Sequence, residues 1–170
     1  MDFSFPLPSW ISVLVVTGTL IAAAVADFRS LTIPNWCSVT AAAFYVPFAY
    51  ALDMPATGLA SHYGTGALLY LMGLGLVSRG IVGGGDAKLL AAVSVWAGPG
   101  MVAQLLLLVA TLGGVLALVT LCVRKVLSGK PTGRGPQWLN PPAGTNPGVP
   151  YGMAIALAGL ALIIQMTGLN

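Results

Sequence analysis

The sequence contains no glutamate and very few charged residues of any kind. Its 170 residues include four aspartates as the only acidic groups, and 6% of the chain is charged against 57% hydrophobic. Soluble globular domains carry about 25% charged residues, so this chain has too few to cover a water-facing surface. The composition therefore excludes an ordinary soluble domain and predicts an integral membrane protein.

Histidine and cysteine are equally scarce. His62 is the only histidine, and the two cysteines, Cys37 and Cys122, lie far apart in or beside apolar segments. This set lacks the ligand spacing of a zinc site, and nothing around His62 suggests the nucleophile that a Ser–His hydrolase requires. We therefore expect no metal, no cofactor and no disulfide.

The net charge of +3 does not indicate nucleic-acid binding. The seven basic residues all fall between apolar segments, which is typical of membrane topology and not of a phosphate-binding face. The first ten residues contain no lysine or arginine, so they lack the basic region of a cleavable signal peptide. We expect the first apolar segment to be retained as a membrane span.

Six apolar runs predict membrane-spanning helices, each of which needs about 20 residues. The fourth run is short and ends at Gly98-Pro99-Gly100, which predicts a tight turn between two helices; a kink there would reduce the count to five. The predicted fold is an all-α, polytopic transmembrane helix bundle that forms a single domain over residues 1–170. The predicted spans are Trp10–Ala26, Trp36–Leu52, His62–Ser78, Lys88–Ala97, Met101–Val123 and Val149–Gly168.

The basic residues also predict the orientation of the helices. All of them lie in residues 27–35, 79–88 and 124–147. Six spans with both termini outside would place all seven on the cytoplasmic side, whereas five spans would divide them between the two faces. Residues 124–149 are rich in glycine and proline and predict an irregular cytoplasmic loop within the domain.

Two of the aspartates stand out because a carboxylate beside hydrocarbon is costly and therefore indicates a function. Asp27 closes the first span, and Asp86 follows three glycines at the start of the fourth, so the topology places both at the cytoplasmic boundary. Simpler explanations exist for each. Asp27 could pair with Arg29 or serve topology alone, and Asp86 could cap a helix.

Other polar residues admit equally simple explanations. Asp53 lies on the opposite face and is interpreted as a helix N-cap without chemistry. Lys88 lies on a different helix face from Asp86, where it either anchors the helix at the interface or attracts an acidic group of a substrate. The residues Pro150 and Tyr151 are typical of a proline-started helix with an interfacial tyrosine.

Three motifs, taken together, resemble a known family. They are Asp27 followed by Ile33-Pro34-Asn35, then Gly83-x-Gly85-Asp86-x-Lys88, then Val149-Pro150-Tyr151-Gly152 before the last span. In this order they resemble the type IV prepilin peptidases, within the wider GxGD class of intramembrane aspartyl proteases. The match covers almost the whole chain, and the small size is similar to the single-domain members of tight-adherence (Flp) pilus systems.

The resemblance implies hydrolysis of the peptide bond after a glycine in pilin precursors, at the cytoplasmic face of a bacterial inner membrane. Asp27 and Asp86 match the catalytic pair. Larger members carry an insertion with paired CxxC motifs between the first two spans, linked to N-methylation. Residues 27–35 leave no room for it, so peptidase activity without methyltransferase or zinc is implied.

Supporting roles and partners also follow from the resemblance. The expected partners are a pilin precursor and the lipid bilayer, without nucleic acid; the oligomeric state is left open. Alternatives are a small transporter or channel subunit that uses both aspartates as a proton or cation site, and a scaffold subunit of a secretion machine. Residues expected to bind substrate or support the site are Gly83, Gly85, Lys88, Pro34, Asn35, Pro150, Tyr151 and Gly152.

Helix ends suggest different roles for the two carboxyl groups. Asp27 is expected near a helix C-terminus, where negative charge is disfavoured, and Asp86 near a helix N-terminus, where it is favoured. We therefore expect Asp86 to be the resting base and Asp27 the resting acid, although a coupled pair titrates as a unit.

Overall fold

The computed structural model describes residues 6–127, 138–139 and 148–168. Within these ranges the chain forms helices and short connections, without a strand. The predicted all-α fold class is confirmed. The helices are α1 (Leu7–Ser30), α2 (Asn35–Ala43), α3 (Tyr45–Ala51), α4 (Ala56–Val77), α5 (Gly84–Leu127) and α6 (Tyr151–Thr167).

Prolines determine where several of these helices begin. Pro6, Pro34, Pro55 and Pro150 occupy the N-cap positions of α1, α2, α4 and α6, and none of the four helices has a side-chain cap hydrogen bond. A proline fixes its own φ and has no amide hydrogen to leave unpaired at a helix start. The sequence therefore sets these boundaries through backbone geometry.

Some predicted boundaries differ from the observed ones. The second predicted span is divided at Phe44 into α2 and α3. Helix α4 begins at Ala56, earlier than the predicted start at His62. Asp53 is not an N-cap as predicted: it adopts a left-handed φ of 51°, and Pro55 precedes α4 instead.

The predicted cytoplasmic loop also begins later than expected. Helix α5 continues to Leu127, so residues 124–127 are helical and not part of a loop. Of the rest of the predicted loop, residues 128–137 and 140–147 lie outside the described residues.

Helix α5 reverses direction at Gly98, where the backbone is not helical (φ 58°, ψ −174°). The contacts of α6 show the reversal. Val93 lies against Gly159 in the middle of α6. Gln104 donates to Gln165 near its C-terminal end at 2.7 Å, and Gly113 lies beside Tyr151 at its start. Residues 84–97 therefore run parallel to α6 and residues 99–127 run back, as expected for the predicted turn.

His62 closes this turn from α4. Pro99 has no amide hydrogen, so the Val95 carbonyl lacks the donor that a continuous helix would supply. The His62 Nδ1 donates to that carbonyl at 2.8 Å and also lies 2.6 Å from the Tyr45 hydroxyl. A Cβ on Gly98 would overlap the imidazole ring, so the ring and the glycine occupy complementary space. The only histidine thus has a structural explanation.

We expect His62→Leu to be less stable than His62→Asn by about 1–3 kcal/mol, because a buried carbonyl would lose its donor. The two replacements have similar shapes, but the Asn Nδ2 can donate from nearly the position of the imidazole Nδ1. Chemical or thermal unfolding in detergent would measure the difference. Equal stability of the two variants would show that the hydrogen bond does not hold the turn.

The helices bring both conspicuous aspartates to one end of the bundle. Helix α1 runs antiparallel to α6, since Leu20 lies against Gly159 and Asp27 against Gly152. Helix α2 starts beside Lys88, which donates to Asn35 at 2.9 Å. The Gly98 turn lies at the opposite end of the bundle. This arrangement agrees with the expectation that Asp27 and Asp86 lie on one side.

The core of the bundle is apolar and centred on Trp96. This side chain is 2% exposed, and its Nε1 donates to the Ala41 carbonyl of α2 at 2.8 Å. Its ring also packs against Tyr45 and Phe48, with centroid distances of 5.3 and 4.9 Å. The indole therefore joins α2, α3 and α5 and holds the two pieces of the broken second span together.

The outer surface is also apolar. Leu14 is 68% exposed, Leu71 66% and Leu107 66%, and soluble monomers rarely expose large contiguous apolar areas. By length and composition, α1 and residues 84–126 are apolar enough to cross a membrane. These features indicate a protein whose surface contacts lipid.

Candidate active site

Asp27 lies in the last turn of α1 and is almost completely buried, with 3% of its surface exposed. Its Oδ2 accepts a hydrogen bond from the Met153 amide at 3.0 Å. The described partner of this carboxyl group is therefore the first turn of α6 and not Arg29. A buried carboxylate requires such a donor, because an unpaired one is very costly.

Gly152 makes the close approach of α1 and α6 possible. A Cβ at this position would lie 2.9 Å from the Asp27 Cγ and 3.0 Å from its Oδ2, and it would overlap Ile33. No other residue fits without displacing one of these side chains. The sequence marked Gly152 as a supporting residue, and the structure places it against the carboxyl group.

Asp86 lies in the first turn of α5, where the chain leaves the three glycines. The backbone of Gly83 donates to this carboxyl group, and the two aspartates interact electrostatically. A Cβ on Gly83 would lie 2.9 Å from the Asp86 Oδ2, so a side chain there would press on the carboxylate. The fold thus brings together two carboxyl groups from distant parts of the sequence.

A cavity of about 300 Å³ opens beside Asp86, between the α1–α2 connection and the glycine segment. Asp27 does not line this cavity. Ile33, which the sequence did not single out as a site residue, lies beside both Gly85 and Gly152. The residues that line the cavity are Leu31, Thr32, Ile33, Asn35, Gly83, Gly84, Gly85 and Asp86.

Comparison with known proteins identifies the family. The model of the type IV leader peptidase family matches residues 14–118, well over half of the chain. The chain belongs to this family. No curated protein and no solved structure matches it. The matched region contains both aspartates and the glycine segment but ends before α6, so the contact of Asp27 with Gly152 comes from the structure alone.

Membership of the type IV leader peptidase family indicates that the protein is a peptidase. The family and the apolar helices together indicate a membrane protein. Within residues 6–127, 138–139 and 148–168, no group of three or more histidine, cysteine, aspartate or glutamate side chains could hold a metal ion. Cys37 and Cys122 are free thiols, the first buried and the second exposed.

The remaining residues that the sequence predicted to support the site also lie at this end of the bundle. The hydrogen bond from Lys88 to Asn35 joins the starts of α2 and α5. Pro34 precedes α2, and the buried Pro150 precedes α6. The ring of Tyr151 lies against Gly113, where a Cβ would come within 2.8 Å of it. Tyr151 therefore contacts the returning half of α5 and not the aspartates.

Sequence reasoning missed an aromatic contact beside Asp27. The Trp138 ring packs against Phe28 with a centroid distance of 5.7 Å. Arg124 donates to the Trp138 carbonyl at 2.8 Å and to the Gly148 carbonyl. Arg124 therefore fixes two points of the connection between α5 and α6. The only sequence signal for these contacts was that tryptophan and arginine residues cluster near the predicted loop.

Helix ends do not assign different roles to the two carboxyl groups, contrary to the expectation from the sequence. Asp27 does lie near the C-terminus of α1, but the N-terminus of α6 also points at it through Met153. Asp86 lies at the N-terminus of α5. Because each carboxyl group faces the positive end of a helix dipole, helix ends do not distinguish the resting acid from the resting base.

Proposed function

We propose that the protein is an aspartyl endopeptidase that cleaves pilin precursors after a glycine, with Asp27 and Asp86 as its catalytic pair. The proposed substrates are precursors of Flp-type pilins, cut during assembly of a pilus. Family membership supports a leader peptidase in general. The motifs around both aspartates support the finer assignment.

The observation that carries the proposal is the convergence of the two carboxyl groups. Asp27 and Asp86 come from different helices, yet both lie at one end of the bundle: Ile33 contacts Gly152, against which Asp27 packs, and also Gly85, which precedes Asp86. Two carboxyl groups that share a proton are the basis of hydrolysis by aspartic proteases. A topological charge or a helix cap would not require Gly152 and Gly83 to fit so closely against both groups.

The reaction requires one ionised and one protonated carboxyl group. The ionised group takes a proton from water, and the hydroxyl attacks the carbonyl carbon of the peptide bond, while the protonated group donates to the carbonyl oxygen. Collapse of the tetrahedral intermediate then breaks the C–N bond: the carboxyl group that took the proton from water gives it to the leaving amine, and the other carboxylate regains its proton from a hydroxyl of the intermediate. Because the two carboxyl groups titrate as a coupled pair, either of them can hold the shared proton before the reaction starts.

The cavity beside Asp86 suits an extended peptide. Gly83, Gly84 and Gly85 line one side of it and carry no side chains to keep a substrate backbone away. The Ile33 side chain separates this segment from Gly152. We propose that the residues around the scissile bond enter this cavity. There they meet Asp86 first and then the more deeply buried Asp27.

We further propose that the protein is a multi-pass protein of the bacterial inner membrane, with six spans and the active site at the cytoplasmic face. Arg29, Arg79 and Lys88 occur at the same end of the bundle as the aspartates, and cytoplasmic ends carry an excess of basic residues. The reversal at Gly98 supports counting the halves of α5 as separate spans.

Co-expression with an Flp-type pilin precursor from the same organism tests the proposed activity. We expect a gel shift from the precursor to the shorter mature form, with mass spectrometry locating the cut after a glycine. A precursor whose glycine is replaced by a bulky residue serves as the control and should remain uncut. Absence of any shift with its own pilin would contradict the proposed function.

Chelators should leave the peptidase active, because two carboxyl groups activate water without a metal ion. We expect the same cleavage rate for purified protein with and without EDTA or phenanthroline. A metalloprotease treated in parallel verifies that the chelators work. Loss of cleavage that is restored by added zinc would show that the aspartates act as metal ligands instead.

A further inference from the structure

A second cavity lies between α2, α4 and α5 and encloses about 560 Å³. Its walls are mainly apolar, and many of the side chains are small. It extends along α5 from Lys88 to Val95, about two helical turns or roughly 10 Å. Small side chains on its walls include Ala42, Gly66, Ala67, Ala91 and Ala92. We call this cavity the apolar groove.

The apolar groove is continuous with the candidate active site. Asn35 lines both the groove and the cavity beside Asp86. Lys88, at the same end of the groove, lies two residues beyond Asp86 and donates to Asn35 at 2.9 Å. A peptide that passes Asp86 therefore meets the groove as soon as it leaves the catalytic cavity.

We infer that the apolar groove binds the apolar helical segment of the substrate that follows the cleaved bond. This inference rests on the proposed function. Alanine and glycine walls allow the backbone of a second helix to approach closely in a membrane. Because the groove begins where the catalytic cavity ends, one chain fills both sites: its extended part lies beside Asp86, and its helix lies against α2, α4 and α5.

The variant Ala67→Leu fills the groove from an exposed position of α4, where an added side chain does not disturb the core. We expect it to raise the KM for the full-length precursor about tenfold or more, the loss of a modest part of the binding energy. Cleavage of a short peptide that carries only the leader and the cleavage site should not change, because this peptide does not reach the groove.

Ala110→Leu is the matched control, since Ala110 is also an exposed helical alanine but does not line the groove. If the wild type cleaves both substrates and Ala67→Leu processes the precursor as Ala110→Leu does, the groove does not bind the substrate helix. A groove occupied by a lipid chain would give that result. If the wild type cleaves neither substrate, the proposed function fails instead.

Crosslinking gives a second test that does not depend on turnover. In a Cys122→Ser background, which removes the exposed thiol, Ala67→Cys should form a disulfide with a cysteine in the apolar segment of the precursor. Ala110→Cys should not. Equal crosslinking at both positions, or crosslinking only at Ala110→Cys, would overturn the inference. In the cleavage experiment, an equal loss of cleavage of the precursor and of the short peptide by Ala67→Leu would also overturn the inference.

Discussion

Asp27→Asn and Asp86→Asn should each abolish conversion of the pilin precursor to its mature form. Asparagine keeps the volume of aspartate but can neither take a proton from water nor give one to the substrate. General acid–base catalysis contributes about 10²–10⁴-fold to rates, and loss of one member disables the pair. We therefore expect cleavage to fall by at least about 10³-fold, measured as the rate of the gel shift with purified proteins.

Asp53→Asn is the matched control, because Asp53 precedes α4 at the opposite end of the bundle. It should cleave at the wild-type rate. A transporter that uses both aspartates as a proton site would retain part of its function in either asparagine variant, since asparagine mimics the protonated group. Wild-type cleavage by Asp27→Asn or Asp86→Asn would rule out the proposed catalytic pair.

Gly152→Ala should reduce cleavage by about 100-fold, the usual effect of moving a catalytic group by about 1 Å. The added methyl group would lie 2.9 Å from the Asp27 Cγ and overlap Ile33, so the carboxyl group must shift. The rate of precursor cleavage measures the effect, and thermal unfolding in detergent shows whether the bundle remains folded.

Two further variants separate the causes of this loss. Gly18→Ala adds the same methyl group to α1 at a position with no atom within 4 Å, and it should leave cleavage unchanged. Adding Ile33→Val to Gly152→Ala removes the Cδ1 that the new methyl group overlaps. We expect only partial recovery, because Asp27 is still displaced. Full activity of Gly152→Ala alone would mean that the close fit at Asp27 is unimportant.

Apolar runs and the placement of basic residues predicted much of this fold. They predicted α1, α6 and the reversal at Gly98, because a proline and two glycines cannot continue a helix and the charges had to fall on one side. They did not predict the break at Phe44. Pro47 could have marked it, because a proline has no amide hydrogen for the Ala43 carbonyl to accept in a continuous helix. The packing of Tyr45 on Trp96, which come from different helices, accompanies the break.

The site was predictable in part for a similar reason. Asp27 and Asp86 stand out in the sequence because carboxyl groups are rare beside hydrocarbon. Asp27 and Met153 are distant in the chain but hydrogen-bonded in the structure. No sequence spacing predicts a contact between residues so far apart. The packing of Trp138 on Phe28 likewise depends on the path of a connection whose sequence carries no helical period.

The contact between Asp27 and the first turn of α6 has a consequence for the biosynthesis of the protein. Asp27 is made early and Asp86 later, but the amide that holds Asp27 belongs to Met153, far beyond both. While the chain is still being translated and inserted, the pair lacks its final partner. With Asp27 and Asp86 as the proposed catalytic pair, we expect a partly synthesised molecule to be inert and to become an active peptidase only when α6 has been inserted.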